Sequence, residues 1–129
     1  RGICAIRAGV PGLSENIRVR SVLGRYLEHS RIYAFHNDGD REVYIGSADL
    51  MHRNLDRRIE VLARIVDHEH LGRIDRFFGF AFSDEVSSWH MLPDGSWRRR
   101  AEGGDGAPLP DLQELVMADR TEARSRGGR

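Results

Sequence analysis

The chain has 129 residues, 40% of them hydrophobic and 31% charged, with 20 basic residues against 20 acidic ones. That suits one soluble domain with a modest core and gives no net drive toward nucleic acid. Nothing reads as a membrane span or a charged-then-apolar leader. The single cysteine, Cys4, excludes an internal disulfide and a cysteine-rich zinc site, and suits a reducing, cytoplasmic setting. All 20 basic residues are Arg. A GC-rich genome accounts for most of that bias, but it means that any phosphate held here is held by guanidinium, in planar two-pronged pairs.

Residues 1–6, Arg1-Gly2-Ile3-Cys4-Ala5-Ile6, read as the end of a buried strand whose beginning is cut off, so the chain is expected to be a fragment of a longer protein. Cys4 is expected to be buried and inert there. Residues 7–16 read as a loop. Val19, Val22, Leu23, Tyr26 and Leu27 form a helical stripe, which Gly24 weakens. Residues 31–36 and 42–46 predict a hairpin around Asn37-Asp38-Gly39-Asp40. A short helix or turn is expected at 48–54 and a strand at 58–63. Asp67 can cap a helix whose stripe is Leu71, Ile74, Phe77, Phe78 and Ala81. A small hairpin follows, Trp89–Leu92 and Ser96–Arg99 about Pro93-Asp94-Gly95, with its two tryptophans expected to be a packing pair. Residues 101–108 read as a linker, Asp111 as the cap of a helix ending near Met117, and Asp119–Arg129 as a disordered tail. The order predicts an α/β or α+β sheet domain.

His29 stands where a helical segment is expected to meet a strand, and the ends of such strands usually line ligand sites. Histidine is the side chain whose charge changes near physiological pH, so one here can give a proton to a leaving phosphate oxygen or be phosphorylated itself. From local sequence alone, a ring satisfied by backbone hydrogen bonds is the favoured reading, because an isolated histidine carries little signal. Arg31, Arg53, Arg57 and Arg58 could surround an anion, or pair with Asp49, Asp56 and Glu60. Arg1, a charge on an apolar strand, needs an anionic partner or the end of a sheet. Gly46-Ser47 could offer backbone N–H groups to a phosphate or simply end a strand. His68 and His70 read as surface residues at a helix start rather than metal ligands. His36, His52 and His90 have no company that implies function.

Five ordered blocks change the weighing. Arg1-Gly2-Ile3-Cys4, Gly12–Ser21, Leu27-Glu28-His29-Ser30-Arg31, Val43–Asp49 and Arg53–Val61 together resemble the last domain of the bacterial polyphosphate kinase that works through a phosphohistidine. The resemblance is dense over residues 1–65 and looser over 66–100, where Trp89–Trp97 is similar to the actinobacterial branch. It implies the C-terminal part of a second phospholipase-D-like domain: α/β, a mixed sheet flanked by helices, with a small C-terminal hairpin. Residues 1–100 would be that domain portion and 101–129 a linker, short helix and disordered tail.

The resemblance also implies reversible transfer of the terminal phosphate of ATP to polyphosphate, through a phosphohistidine outside this chain. Arg1 matches an ATP-phosphate-binding arginine. His29 matches an active-site histidine that contacts the nucleotide phosphates and acts as an acid. Cofactors would be ATP/ADP and Mg2+, the latter with ligands outside these residues, and no metal site is expected here. Partners would be ATP and inorganic polyphosphate, with no nucleic acid and no integral membrane segment. The parent enzyme would be a cytoplasmic homo-oligomer with possible membrane association. Two positions depart from the phospholipase-D pattern: Arg31 stands for its Lys, and Asp49 for the Asn after Gly46-Ser47. That argues against hydrolysis. A phosphodiesterase half-site and a non-catalytic polyphosphate-binding module are the alternatives.

Overall fold

A computed structural model describes residues 4–127, arranged in two compact units. One is Leu27–Arg76; the other comprises residues 4–26 and 77–127. Arg1 and the rest of residues 1–3 lie outside the described residues, as do residues 128–129.

In the first unit, β2 (Ile32–Phe35), β3 (Glu42–Gly46) and β4 (Leu62–Ile65) form an antiparallel sheet in that order, while β1 (Arg20–Ser21) belongs to the other unit. The expected hairpin forms because Asn37, Asp38 and Gly39 all take left-handed backbone angles, with φ of 47°, 52° and 95°. Those three residue types reach that region most easily. The register sets Val43 between Ala34 and Ile65 on one face, and there it is 0% exposed. Tyr44 falls on the other face beside Phe35, their rings 6.2 Å apart and edge-on. Gly46 is needed at the end of β3. A Cβ there would meet a Leu62 methyl at 2.8 Å and the Val61 carbonyl at 3.2 Å.

Helix α1 (His52–Arg57) begins four residues later than expected. Strand β4 is shifted likewise, from 58–63 to Leu62–Ile65, because Val61 is taken by the Ser47 turn and Ile59 is fully exposed. Helix α2 (His68–Ala81) starts where the cap predicts: the His70 N–H donates to Asp67 Oδ1 at 3.0 Å.

In the second unit β1 (Arg20–Ser21), β5 (Ser88–Met91) and β6 (Trp97–Arg100) form another antiparallel sheet, ordered β1-β5-β6. The α/β class and the small hairpin therefore stand, but the strands make two antiparallel sheets rather than one mixed one. The helix expected around Val19–Leu27 is absent. Arg20 and Ser21 pair instead with His90 and Trp89. The Gln113 side chain takes both backbone groups of Tyr26, accepting from its N–H at 2.8 Å and donating to its carbonyl at 2.7 Å. Long-range partners thus satisfy the backbone that a helix would have satisfied internally.

Residues 4–6 form no strand, and Cys4 is exposed, not buried, because no described strand pairs with them. Trp89 lies against the Arg99 guanidinium, 5.9 Å from its ring centre, rather than against Trp97. Helix α3 (Leu112–Gly127) continues well past Met117, its hydroxyls bonding back into the helix: Thr121 to the Met117 carbonyl and Ser125 to that of Thr121.

Two tests follow from this packing. Val43→Ala should cost roughly 2 kcal/mol in urea unfolding, whereas Ile59→Ala should leave the midpoint unchanged. The Asp67 carboxyl is held below the ordinary carboxylate value, first by the His70 N–H and then by the His70 ring. Its folded pKa is depressed, so its contribution is complete above the unfolded value and is lost as pH falls through the folded one. The destabilisation caused by Asp67→Ala, measured by circular dichroism against urea, should be clear near neutrality and vanish in acid.

Candidate functional site

Antiparallel pairing brings the start of β2, the end of β3 and the start of β4 to one end of their sheet. Residues 29–31, 46–49 and 60–61 therefore meet there, although they are scattered in the sequence. His29 is exposed on the segment leading into β2. No hydrogen bond among the described residues engages its imidazole, and its carbonyl accepts from Arg31 Nη1 at 2.7 Å. The reading of His29 as a ring satisfied by backbone bonds is therefore not what the structure presents.

Arg31 is not free for an anion. Its Nε and Nη2 both lie 2.9 Å from Asp49 Oδ1, with both side chains about two-thirds buried. Arg31 and Asp49 are the two positions that depart from the Lys and Asn of the phospholipase-D pattern, and they have become each other's partner. Arg53 lies 3.8 Å from Asp49, a looser approach. Asp56 is taken by the His52 ring rather than by an arginine. Arg57 and Arg58 are exposed and make no ion pair within 4.0 Å among the described residues.

Gly46 and Ser47 end the strand and do not present free N–H groups. The Gly46 N–H donates to the Arg31 carbonyl at 3.0 Å, and that of Ser47 to the Val61 carbonyl at 3.1 Å. The Ser47 hydroxyl bonds Glu60 and accepts from the Val61 N–H. Glu60 in turn accepts from Asn54 Nδ2 at 2.7 Å, fastening α1 to the same end. Ser47 first and Asn54 second hold the Glu60 carboxyl below the ordinary range, with Arg58 and Arg31 adding to the effect. The end of this sheet is thus a bonded frame from which the side chains of His29, Arg57 and Arg58 project without an ion pair or side-chain hydrogen bond among the described residues.

Among the described residues no cluster of three His, Cys, Asp or Glu could hold a metal ion. No described helix is long and apolar enough to cross a membrane.

A second constellation, in the other unit, was not legible in the sequence. Arg20, its side chain 8% exposed, donates to Ser88 Oγ at 2.8 Å. Ser88 Oγ lies 3.1 Å from both His90 Nε2 and the Val86 carbonyl. A hydroxyl has one proton; given to Val86, it leaves Ser88 accepting from Arg20 and from His90 Nε2–H, which satisfies all three groups. His90 is thus bonded to the buried Ser88 hydroxyl. Burial first, then Arg20, keep its imidazole below the ordinary histidine value, with Arg98 and Arg100 adding to the effect. The run Arg98-Arg99-Arg100 was the available signal, but only the pairing of β1 with β5 shows what it faces.

Residues 1–108 match the family described as polyphosphate kinase C-terminal domain 2. The chain is 58% identical over 124 residues to a polyphosphate kinase of Streptomyces coelicolor, covering 96% of this chain and 17% of that protein. It is 44% identical over 128 residues to polyphosphate kinase 1 of Chlorobaculum tepidum, covering 99% of this chain and 18% of the relative. The crystal structure of polyphosphate kinase from Porphyromonas gingivalis superposes with a TM-score of 0.78 at 31% identity, over 91% of this chain and 18% of that one. The chain thus spans under a fifth of the length of these relatives.

The Arg31–Asp49 pair can be measured directly. A double-mutant cycle of Arg31→Ala and Asp49→Ala, read by urea unfolding, should give a coupling of about 1 kcal/mol, the upper end for a partly exposed pair.

Proposed function

Because the chain belongs to the polyphosphate kinase C-terminal domain 2 family, we propose that it forms part of an ATP:polyphosphate phosphotransferase and supplies His29 to its reaction centre. The observation that carries this reading is the state of His29: exposed, its ring unengaged among the described residues, its peptide held by Arg31 at the end of the sheet. Such a histidine can approach a ligand without first losing a structural bond.

The chemistry follows from what phosphoryl transfer requires. The transferred group needs positioning and neutralisation of charge more than covalent help. Moving the terminal phosphate of ATP leaves negative charge on the departing ADP oxygen. An imidazolium close to that oxygen lowers the cost, either as a cation or by giving up its proton. In the reverse direction the neutral ring takes the proton back. The phosphohistidine intermediate belongs in this proposal to a histidine elsewhere in the full polypeptide. Arg1 is proposed to bind the ATP phosphates, on the strength of its match to the family block. Arg31, neutralised by Asp49, acts by holding the His29 peptide rather than by touching phosphate. The same pair counts against a phosphodiesterase, since it removes the free cation that such a site would use.

In the full polypeptide, His29→Ala should lower ATP-dependent polyphosphate synthesis by roughly 10²–10⁴-fold, and His29→Gln should not restore it. The 129-residue chain alone should make no polyphosphate. Unchanged synthesis by His29→Ala would sink the catalytic reading and favour a binding module. Loss of phosphodiester hydrolysis on the same substitution would favour the phosphodiesterase.

A further inference from the structure

One face of the β1-β5-β6 sheet carries an arginine-rich pocket that the proposed reaction does not use. Arg20, His90 and Arg98 lie directly across from one another on the three strands. Ser88 and Arg100 are the next pair on the same face, because side chains alternate along a strand. A cavity of about 450 Å³ opens there, lined by His90, Arg98, Arg99, Arg100, Ala101 and Glu102. Its volume suits a small ligand.

Charge says what kind of ligand. Arg20 and Arg100 share a single carboxylate, Asp84, at 3.9 and 3.8 Å, and Asp84 is itself largely exposed. Arg98 has no carboxylate within 4.0 Å among the described residues. On this face the lining sets Arg98 and Arg100 against one acid, Glu102, while Arg99 falls on the other face against Trp89. Beneath them Arg20 is nine-tenths buried, and its Nε has no hydrogen-bond partner among the described residues. A buried guanidinium donor without an acceptor is costly, so such groups are normally paired. The Ser88 hydroxyl is occupied by its neighbours, and it ties Arg20 rigidly to His90.

We propose that this face is a second anion site, which takes the phosphoryl oxygens of a short oligophosphate through Arg98 and Arg100, with His90 and the buried Arg20 behind them. Planar guanidiniums on alternate positions of one strand, roughly 7 Å apart, can grip separate phosphates of one linear chain. The phosphates could come from inorganic oligophosphate or from a nucleotide tail, and the chemistry of recognition is the same. All of its residues lie outside Leu27–Arg76, so it does not depend on the role proposed for His29.

The test is titration calorimetry on the full polypeptide, with sodium tripolyphosphate and with ATP at fixed ionic strength. Arg98→Ala/Arg100→Ala should remove one binding site per chain or weaken it at least about tenfold, and flatten the salt dependence of what remains. Weakening of tripolyphosphate alone identifies the inorganic chain as the ligand; equal weakening of ATP identifies a site that reads phosphate from either source. Glu102→Gln should tighten binding, a gain that a misfolded variant cannot produce. His29→Ala should leave this site intact, which separates it from the catalytic proposal. The inference is overturned if the double variant binds as the parent does, or if Glu102→Gln fails to raise affinity.

Discussion

Arg31 and Asp49 lie 18 residues apart, and the charge-assisted bond between them fixes how the start of β2 meets the end of β3. Much else hangs from it. Through Nη1, Arg31 holds the carbonyl of His29, so the same side chain that closes the sheet end also orients the segment bearing the histidine. Two residues before Asp49, Ser47 reaches Glu60, and Glu60 reaches Asn54 on α1. Each bond is modest alone, but linked bonds at a partly buried position reinforce one another. The outcome is a histidine whose backbone is constrained while its ring stays available. A site that moves a proton needs that combination.

The two units use arginine in opposite ways. At the end of the β2-β3-β4 sheet, Arg31 is matched by Asp49 and serves the framework. On the β1-β5-β6 sheet, arginines outnumber their acids, and one is buried with a donor unmatched among the described residues. A net charge of zero over the whole chain conceals this local imbalance. Binding responds to the field at a patch rather than to the total.

What the sequence made legible was local. The β2–β3 hairpin follows from alternation and from a turn whose residues favour positive φ. Helix α2 follows from Asp67 and its apolar stripe. The stripe at Val19–Leu27 has equally good spacing, yet that segment is strand and loop. Its partners are His90, Trp89 and Gln113, up to 87 residues away, and no local window contains them. The same distance hid the company of His90. Asp49 could be named as a partner for Arg31 because it was close and oppositely charged; that both bonds converge on one oxygen could not. His29 owed its prominence to the blocks around it, since a lone histidine carries little signal.

Strand β4 is an edge of its sheet among the described residues, with Val61 and Leu62 well exposed and its one charge, Arg64, matched to Glu42 at 3.1 Å. Proteins commonly blunt such edges with lysine, which this chain lacks altogether. In concentrated solution, then, the chain has a ready surface for ladder formation with its own copies and little repulsion to oppose it near its isoelectric point. Buffers well away from neutrality, or added arginine, should keep it dispersed where a neutral buffer of low ionic strength would not.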